Sequence, residues 1–224
     1  LERRLKNATG TEHNIFVVTE SVFSMDGDIA PLNAIADLCD HYKAHLIVDE
    51  AHATGVSGPA GAGVIQELGI QERCFARVHT FGKAVGCHGA VVLGSQTLKD
   101  YLINFSRALI YTTALPQSAI RAIAASYQLF PAMENERKHL AELISLFQQA
   151  EIRYEKLKSL TPIQAVIIPG NENVKVVSEA LSKAGLDVRP ILYPTVPKGS
   201  ERLRIIIHSF NTIEELRTLV QNLN

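Results

Sequence analysis

Between residues 14 and 115 the sequence alternates short apolar runs with segments of helical spacing. Four runs have the length and composition of buried strands: Ile15–Val18, Leu46–Val48, Phe75–His79 and Ala90–Leu93. After the first run, Pro31 suits the first position of a helix, and apolar residues recur at helical spacing up to Tyr42. Strands that are apolar throughout and separated by helices predict an α/β fold, with a mostly parallel sheet covered by helices on both faces.

The pattern changes in the second half of the chain. Residues 117–158 have long helical spacing, interrupted near Pro131. Strands are then predicted at Gln164–Ile168 and Leu203–Ile207, and helices at Val174–Ala184, followed by Gly185 as its cap, and Ile213–Leu223. We therefore expect two domains: residues 1–126 as part of a large domain, and residues 127–224 as a smaller α+β domain.

Composition and charge exclude several classes of protein. The 22 basic and 23 acidic residues give a formal net charge of −1, which offers no electrostatic reason to bind nucleic acid or an anionic membrane. The three cysteines, Cys39, Cys74 and Cys87, are too few and scattered for a disulfide framework, so we expect a cytoplasmic protein. The chain opens without Met and already in helical pattern, so we expect a segment upstream of Leu1.

Two predicted strand ends carry residues with chemical potential. Asp49-Glu50-Ala51-His52 follows one strand, and Thr80-Phe81-Gly82-Lys83 follows the next. In open parallel sheets, binding sites form at the carboxyl ends of strands. An acid and a lysine there match the needs of pyridoxal phosphate (PLP): the lysine forms a Schiff base, and the carboxylate keeps the pyridine nitrogen protonated. Thr80 could donate its hydroxyl to the phosphate, and Gly82 permits a close approach.

Simpler interpretations of the same residues stay open at this point. A lysine in a glycine-rich loop is commonly a solvated surface residue, and an aspartate after an apolar strand commonly caps a helix. Asp49-Glu50-Ala51-His52 also spells a nucleotide-hydrolysis box, but the chain lacks the G-x-x-x-x-G-K-[ST] phosphate loop that this function requires.

Two further kinds of site are not supported by residue spacing. The histidines and cysteines have no recognised metal-ligand spacing. The run Gly58–Gly63 lacks the spacing of a dinucleotide fingerprint and reads as a turn. We therefore predict neither a metal nor a dinucleotide site.

Several longer motifs resemble those of one enzyme family, the α-oxoamine synthases. The motifs occur in the family's order and their resemblance covers essentially the whole chain: Thr19–Leu32, Val48–Gly55, Thr80–Ala84, Ile110–Thr113, Pro194–Pro197 and Arg202–Arg204. The resemblance implies fold-type-I PLP-dependent transferase architecture and a homodimer whose active sites lie at the subunit interface. It implies pyridoxal 5'-phosphate as the cofactor.

The resemblance also implies roles for individual residues. Lys83 holds the cofactor and, once displaced by the substrate, takes the α-proton. Asp49 pairs with the pyridinium, and His52 hydrogen-bonds the ring's phenolic oxygen. These three form the catalytic set.

Four more residues are implied in binding. Ser24 contacts the same region of the cofactor as His52, and Thr80 binds the phosphate. Thr113 reaches the phosphate in the neighbouring subunit. Arg204 grips the substrate carboxylate, a task for which its planar fork is well suited.

The implied reaction joins an amino acid to an acyl thioester with loss of carbon dioxide. Ala51–Gly55 and the C-terminal motifs are most similar to the branch of the family in biotin biosynthesis, which uses L-alanine and a pimeloyl thioester of coenzyme A or a carrier protein. Other branches use glycine or serine. An inactive remnant or partner subunit is a further alternative, because the family's phosphate-binding glycine loop and ring-stacking His are expected upstream of Leu1. Cys87-His88 and Leu192-Tyr193 also depart from the family pattern.

Overall fold

The computed structural model describes residues 1–8, 10 and 13–224. Its contacts divide the chain into two compact units. The first unit contains Leu1–Val22 and Ala30–Met133, and the second contains Phe23–Ile29 and Glu134–Asn224. A split at residue 126 therefore differs from these units in its boundary and in the short segment 23–29, and the assignment of domains stays a prediction.

The first unit is built on a four-stranded sheet. Its strands follow chain order across the sheet: β1 (Phe16–Glu20), β2 (His45–Asp49), β3 (Cys74–Thr80) and β4 (Ala90–Gly94). β1, β2 and β3 are mutually parallel, and β4 pairs with β3 in the antiparallel direction. The mostly parallel sheet of the α/β prediction is confirmed, with β4 as an antiparallel edge strand.

The helices of the first unit connect and follow these strands. They are α1 (Glu2–Ala8), α2 (Leu32–Tyr42), α3 (Val64–Glu67), α4 (Gln96–Phe105), α5 (Arg107–Ile110) and α6 (Gln117–Leu129). The sequence prediction did not include α4, although Ser95 begins it by accepting a hydrogen bond from the Leu98 amide. Pro31 occupies the N-cap position of α2, one residue earlier than expected.

On β1 and β2 the buried core residues lie on one face of the sheet. Val17, Leu46 and Val48 are buried there, and Leu32 and Ala36 of α2 are buried as well. On edge strand β1 the alternation of a strand is visible, because Phe16 and Val18 are 50% and 70% exposed while Val17 is buried.

The second unit contains a separate antiparallel sheet in the order β5-β6-β8-β7. Its strands and helices are α7 (Glu134–Gln149), β5 (Glu155–Lys156), β6 (Ile163–Ile167), α8 (Asn171–Lys183), β7 (Arg189–Ile191), β8 (Arg202–Ile206) and α9 (Ile213–Asn222). The buried side chains of α7 lie on one stripe, Leu140, Leu143, Ile144 and Phe147, as an amphipathic helix requires.

The expectation of helical structure up to residue 158 is wrong. The helical region is interrupted at Pro131 by a 3-10 turn and ends at Gln149. Lys156 donates from its ammonium group to the carbonyls of Phe147 at 2.7 Å, Gln148 at 3.1 Å and Ala150. A cation at the carboxyl end of a helix satisfies its free carbonyls, so this strand residue terminates α7.

No helix in residues 1–8 or 13–224 is long and apolar enough to cross a membrane.

Candidate active site

The carboxyl ends of β1, β2 and β3 lie side by side in the first unit. Glu20 pairs with Asp49, and Asp49 pairs with Val78. The ladder continues one step beyond the strands, because the Ser21 amide donates to the Asp49 carbonyl at 2.9 Å and the Glu50 amide to the Val78 carbonyl at 2.8 Å. This edge is where ligands bind in open parallel sheets, and it carries most of the predicted site residues.

Asp49 ends β2 with a carboxylate of fixed orientation. Its Oδ1 accepts a hydrogen bond from the Ala51 amide at 2.8 Å, and the side chain is half-buried. The other carboxylate oxygen makes no hydrogen bond to the described residues, so it can accept one from a ligand. His52 is half-buried in the turn that follows.

Lys83 lies in a loop that the chain closes with its own backbone. The Phe81 amide donates to the Gly89 carbonyl at 2.9 Å, and the Cys87 amide donates to the Phe81 carbonyl at 2.7 Å. Phe81 and Val85 are buried and anchor the loop, whereas Lys83 is exposed. Its ammonium group makes no hydrogen bond or ion pair within the described part of the chain.

Thr80 ends β3 with a buried hydroxyl that lacks a partner. Among the described residues its Oγ1 makes no hydrogen bond, and this is costly for a buried polar group unless a ligand or water supplies the partner. An orphaned hydroxyl, an oriented carboxylate and an unpaired lysine, all on one sheet edge or the loop beyond it, fit PLP by the chemistry of its phosphate, ring nitrogen and aldehyde.

Thr113 lies in the same unit, in the exposed segment after α5. Two residues later, Leu115 lies against Gly89, where an added Cβ would come within 2.9 Å of its Cδ1. The segment is therefore packed beside the Lys83 loop. The role of Thr113 toward a neighbouring subunit stays a prediction.

Ser24 and Arg204 belong to the second unit. The Arg204 Nε donates to the Ser24 carbonyl at 2.7 Å, so the segment 23–29 orients the guanidinium. Burial lowers the pKa of Arg204. With Nε occupied, the two terminal nitrogens make no hydrogen bond to the described residues, and they present a fork for a carboxylate.

Asp26 and Gly27 hold the segment 23–29 within the second unit. Arg202 donates to Asp26, and the Gly27 carbonyl accepts from the hydroxyls of Ser159 at 2.9 Å and Thr161 at 3.0 Å. At Gly27 (φ +74°) a Cβ would lie 2.3 Å from the Ile163 carbonyl oxygen, so only glycine fits. Packing therefore requires glycine at this position of the segment.

Two buried polar residues near the site, Glu50 and His79, were not predicted from the sequence as members of it. Glu50 is fully buried beside Asp49, and burial raises the pKa of its carboxyl. His79, next to Thr80, is 5% exposed and hydrogen-bonds Thr54. A histidine within a predicted buried strand was the available signal, since a buried imidazole needs a partner.

In the described residues, no group of three or more His, Cys, Asp or Glu side chains is placed to hold a metal ion.

Three comparisons place this geometry among known proteins. The 8-amino-7-oxononanoate synthase of Emericella nidulans is 41% identical over 94% of this chain and 54% of its own length. A solved 8-amino-7-oxononanoate synthase from Francisella tularensis aligns with 99% of the chain and 64% of its own, with 30% identity and a TM-score of 0.82. A solved serine palmitoyltransferase with a PLP internal aldimine aligns with 99% of this chain and 56% of its own chain, with 27% identity and a TM-score of 0.88.

These similarities confirm the fold-type-I architecture and the resemblance to the α-oxoamine synthases. The chain spans about half the length of the curated relatives it matches, 54% of the first and 57% of another from Marinobacter nauticus. The family model "Aminotransferase class I and II" matches residues 1–223. The chain therefore belongs to the aminotransferase class I and II family.

Proposed function

We propose that this chain carries the catalytic lysine of a PLP-dependent C-acyltransferase of the 8-amino-7-oxononanoate synthase type. The substrates would be L-alanine and a pimeloyl thioester, and the product would serve biotin biosynthesis. The unpartnered Thr80 hydroxyl, at a strand end next to that of Asp49 and three residues before Lys83, is the observation that carries the proposal. The relatives named 8-amino-7-oxononanoate synthase support the choice of reaction.

When bound, PLP supplies an electron-withdrawing ring that stabilises negative charge at the substrate's α-carbon. Lys83 holds the cofactor covalently and, after release, accepts the α-proton at Nζ. Asp49 accepts a hydrogen bond from the ring nitrogen through the oxygen that its own backbone leaves unused. His52 donates to the phenolic oxygen, Ser24 contacts the same region, and Thr80 donates to the phosphate.

For Arg204 we propose recognition of the amino acid carboxylate. Its Nε is held by the Ser24 carbonyl, so the fork of terminal nitrogens has a fixed direction. A lysine at this position would keep the charge and lose the two parallel hydrogen bonds.

We also propose a cytoplasmic homodimer in which Thr113 serves the neighbouring subunit's phosphate. Cys39, Cys74 and Cys87 are all free thiols, as a reducing compartment favours. The helices α4 and α5 and the residue after them leave Tyr101, Phe105 and Tyr111 exposed, and this apolar surface supports self-association.

The proposal is tested by trapping the cofactor. The protein as its gene encodes it is mixed with PLP and reduced with borohydride, and the modified lysine is mapped by peptide mass spectrometry. We expect the label on Lys83 and its loss in Lys83→Arg, whereas the exposed surface variant Lys138→Arg keeps it. Labelling spread over surface lysines, with none preferred, would refute the assignment of the cofactor.

The substrates are tested separately by following carbon dioxide release. Pimeloyl-CoA or a pimeloyl-carrier protein is offered with alanine, glycine or serine, and we expect release with alanine to exceed that with the others. Preference for serine would favour the reaction of the structurally similar serine palmitoyltransferase. A labelled Lys83 without release for any pair would favour an inactive partner subunit.

A further inference from the structure

Thr54 and His79 form a buried side-chain hydrogen bond at the edge of the candidate site. The distance between Thr54 Oγ1 and His79 Nδ1 is 2.8 Å, and the two residues are 2% and 5% exposed. Thr54 lies in the turn after β2, and His79 lies on β3. The hydrogen bonds between β2 and β3 end with the one from the Glu50 amide to the Val78 carbonyl. Beyond that point, the Thr54–His79 bond joins the two segments.

The direction of this hydrogen bond follows from a second contact of Thr54. Its Oγ1 is also 2.8 Å from the Glu50 carbonyl oxygen, which can only accept. The hydroxyl has one hydrogen, so it donates that hydrogen to Glu50 and accepts from His79. His79 must then carry its hydrogen on Nδ1. Burial lowers the pKa of His79 and favours the neutral ring, which leaves Nε2 as an unprotonated, buried atom without a described partner.

Both ends of the bond are adjacent to proposed cofactor contacts. Thr54 is two residues from His52. Its amide donates to the same Glu50 carbonyl at 2.8 Å, and this hydrogen bond stabilises the turn that follows Asp49. His79 directly precedes Thr80 on β3, and the Lys83 loop follows. A shift of one segment against the other would separate the ring contacts from the phosphate and lysine contacts.

We propose that His79, acting through Thr54, is a positioning residue that fixes the Asp49–His52 turn against the Thr80–Lys83 segment. This inference rests on the proposed function, since it assigns the pair to the same cofactor site. The pair touches no reacting atom. Its effect is on alignment, because all of the proposed contacts must reach one rigid ring at once.

The test uses replacements of matched shape in the protein as its gene encodes it. Thr54→Val keeps the volume and removes the hydroxyl, His79→Leu removes the ring donor, and His79→Asn places an amide donor near the position of Nδ1. Ser178→Ala is the control, since it deletes a side-chain to backbone hydrogen bond in the second unit. Each variant is measured for PLP affinity and for the visible absorbance of bound PLP.

We expect Thr54→Val and His79→Leu each to weaken PLP binding about five- to tenfold and to shift the absorbance, as loss of one aligned hydrogen bond predicts. The double variant should be no weaker than the worse single variant, because both remove the same bond. His79→Asn should recover most of the affinity and the absorbance of the original protein. Independent, multiplying effects, or unchanged binding and absorbance, would overturn the proposal.

A measurement without PLP separates this inference from the proposed function. Amide hydrogen exchange of residues 53–57 should be faster in Thr54→Val than in the original protein or in Ser178→Ala. If the original protein fails to take PLP on Lys83, the proposed function is wrong. If it takes PLP but exchange and absorbance are the same in Thr54→Val, the positioning role is wrong.

Discussion

In the second unit the buried carboxylate of Glu201 accepts hydrogen bonds from the amides of Gly170 and Gly199, both at 2.9 Å. In the first unit the buried carboxyl of Glu50 accepts one, from the Ile65 amide at 3.1 Å, and its Oε2 has no hydrogen-bond partner among the described residues. Burial raises the pKa of the Glu50 carboxyl more than the hydrogen bond from the Ile65 amide lowers it.

The same contrast extends to other buried polar groups. Within residues 1–8, 10 and 13–224, the buried side-chain atoms without a hydrogen bond belong to the first unit: Ser21, Glu50, Gln71, His79 and Thr80. The buried Ser159, Thr161, Gln164 and Arg202 of the second unit all have partners. The buried polar groups of the second unit named here are satisfied, whereas all of the unsatisfied residues of the first unit except Gln71 lie at the carboxyl ends of its parallel strands, where a ligand is proposed.

The largest effect on stability is expected from the Asp26–Arg202 ion pair of the second unit, whose guanidinium is buried. Asp26→Ala leaves the Arg202 guanidinium, 8% exposed, without its carboxylate, and we expect a loss of about 3 kcal/mol in the free energy of unfolding. Asp187→Ala removes the partner of Arg189 in an exposed pair and should cost less than about 1 kcal/mol. Urea unfolding measures both losses. Equal losses would show that the buried guanidinium of Arg202 does not depend on Asp26 more than an exposed arginine depends on its partner.

Deleting one threonine hydroxyl in each unit gives the next comparison. Thr161→Val removes the hydrogen bond to the Gly27 carbonyl and should cost about 1–2 kcal/mol. Thr80→Val removes a hydroxyl without a described partner, so unfolding without PLP should change by less than about 0.5 kcal/mol, while PLP binding weakens about tenfold. Calorimetry without PLP measures the two changes in stability, and titration with PLP measures binding to the Thr80 variant. A Thr80 variant that is destabilised but binds PLP normally would refute the comparison.

The smallest effect is a difference in pH dependence between the two buried glutamates. The raised pKa of Glu50 contributes stability that is complete below the ordinary value of 4.5 and is lost as pH rises through the folded-state pKa. The hydrogen bond from the Gly170 amide is the main cause of the lowered pKa of Glu201, whose contribution is present above 4.5 and is lost as pH falls through the folded-state pKa.

Replacing each glutamate by glutamine removes its titration, one residue at a time. Glu50→Gln should abolish a loss of stability on raising the pH above 4.5, and Glu201→Gln should abolish one on lowering it. Urea unfolding from about pH 3 to pH 8 checks both slopes. Slopes of the same sign would show that the two carboxyl groups do not differ in the way that their contacts indicate.

Much of the first unit could be predicted because its strands are local patterns. The run Leu46–Val48 lies within β2, and Ala90–Leu93 lies within β4, since a continuous apolar run is sufficient to identify a strand. The burial predicted for Ala90–Leu93 is wrong, because β4 is an edge strand and most of its residues are exposed. Adjacent strand ends then brought Asp49 and Thr80 to one edge. The end of α7 was not predictable, because Lys156 caps it from a later strand.

Contacts between distant side chains also could not be predicted. The Thr54–His79 bond requires Thr54, in the turn after β2, to face His79 on β3, and the sequence does not determine such facing. The attachment of Gly27 to Ser159 and Thr161 joins residues more than 130 positions apart, at |i−j| of 132 and 134. Family similarity drew attention to the Gly27 segment, but its hydroxyl partners were found only in the fold.

The segment 23–29 has a consequence for the order in which the protein is made. During synthesis, Gly27 and Asp26 leave the ribosome long before Ser159, Thr161 and Arg202 exist. The second unit therefore cannot complete its packing from residues 134–224 alone. It also needs the segment 23–29, which is translated between β1 and α2 of the first unit. A polypeptide starting at Glu134 would lack that segment, so the second unit is not a transferable module in evolution or in engineering.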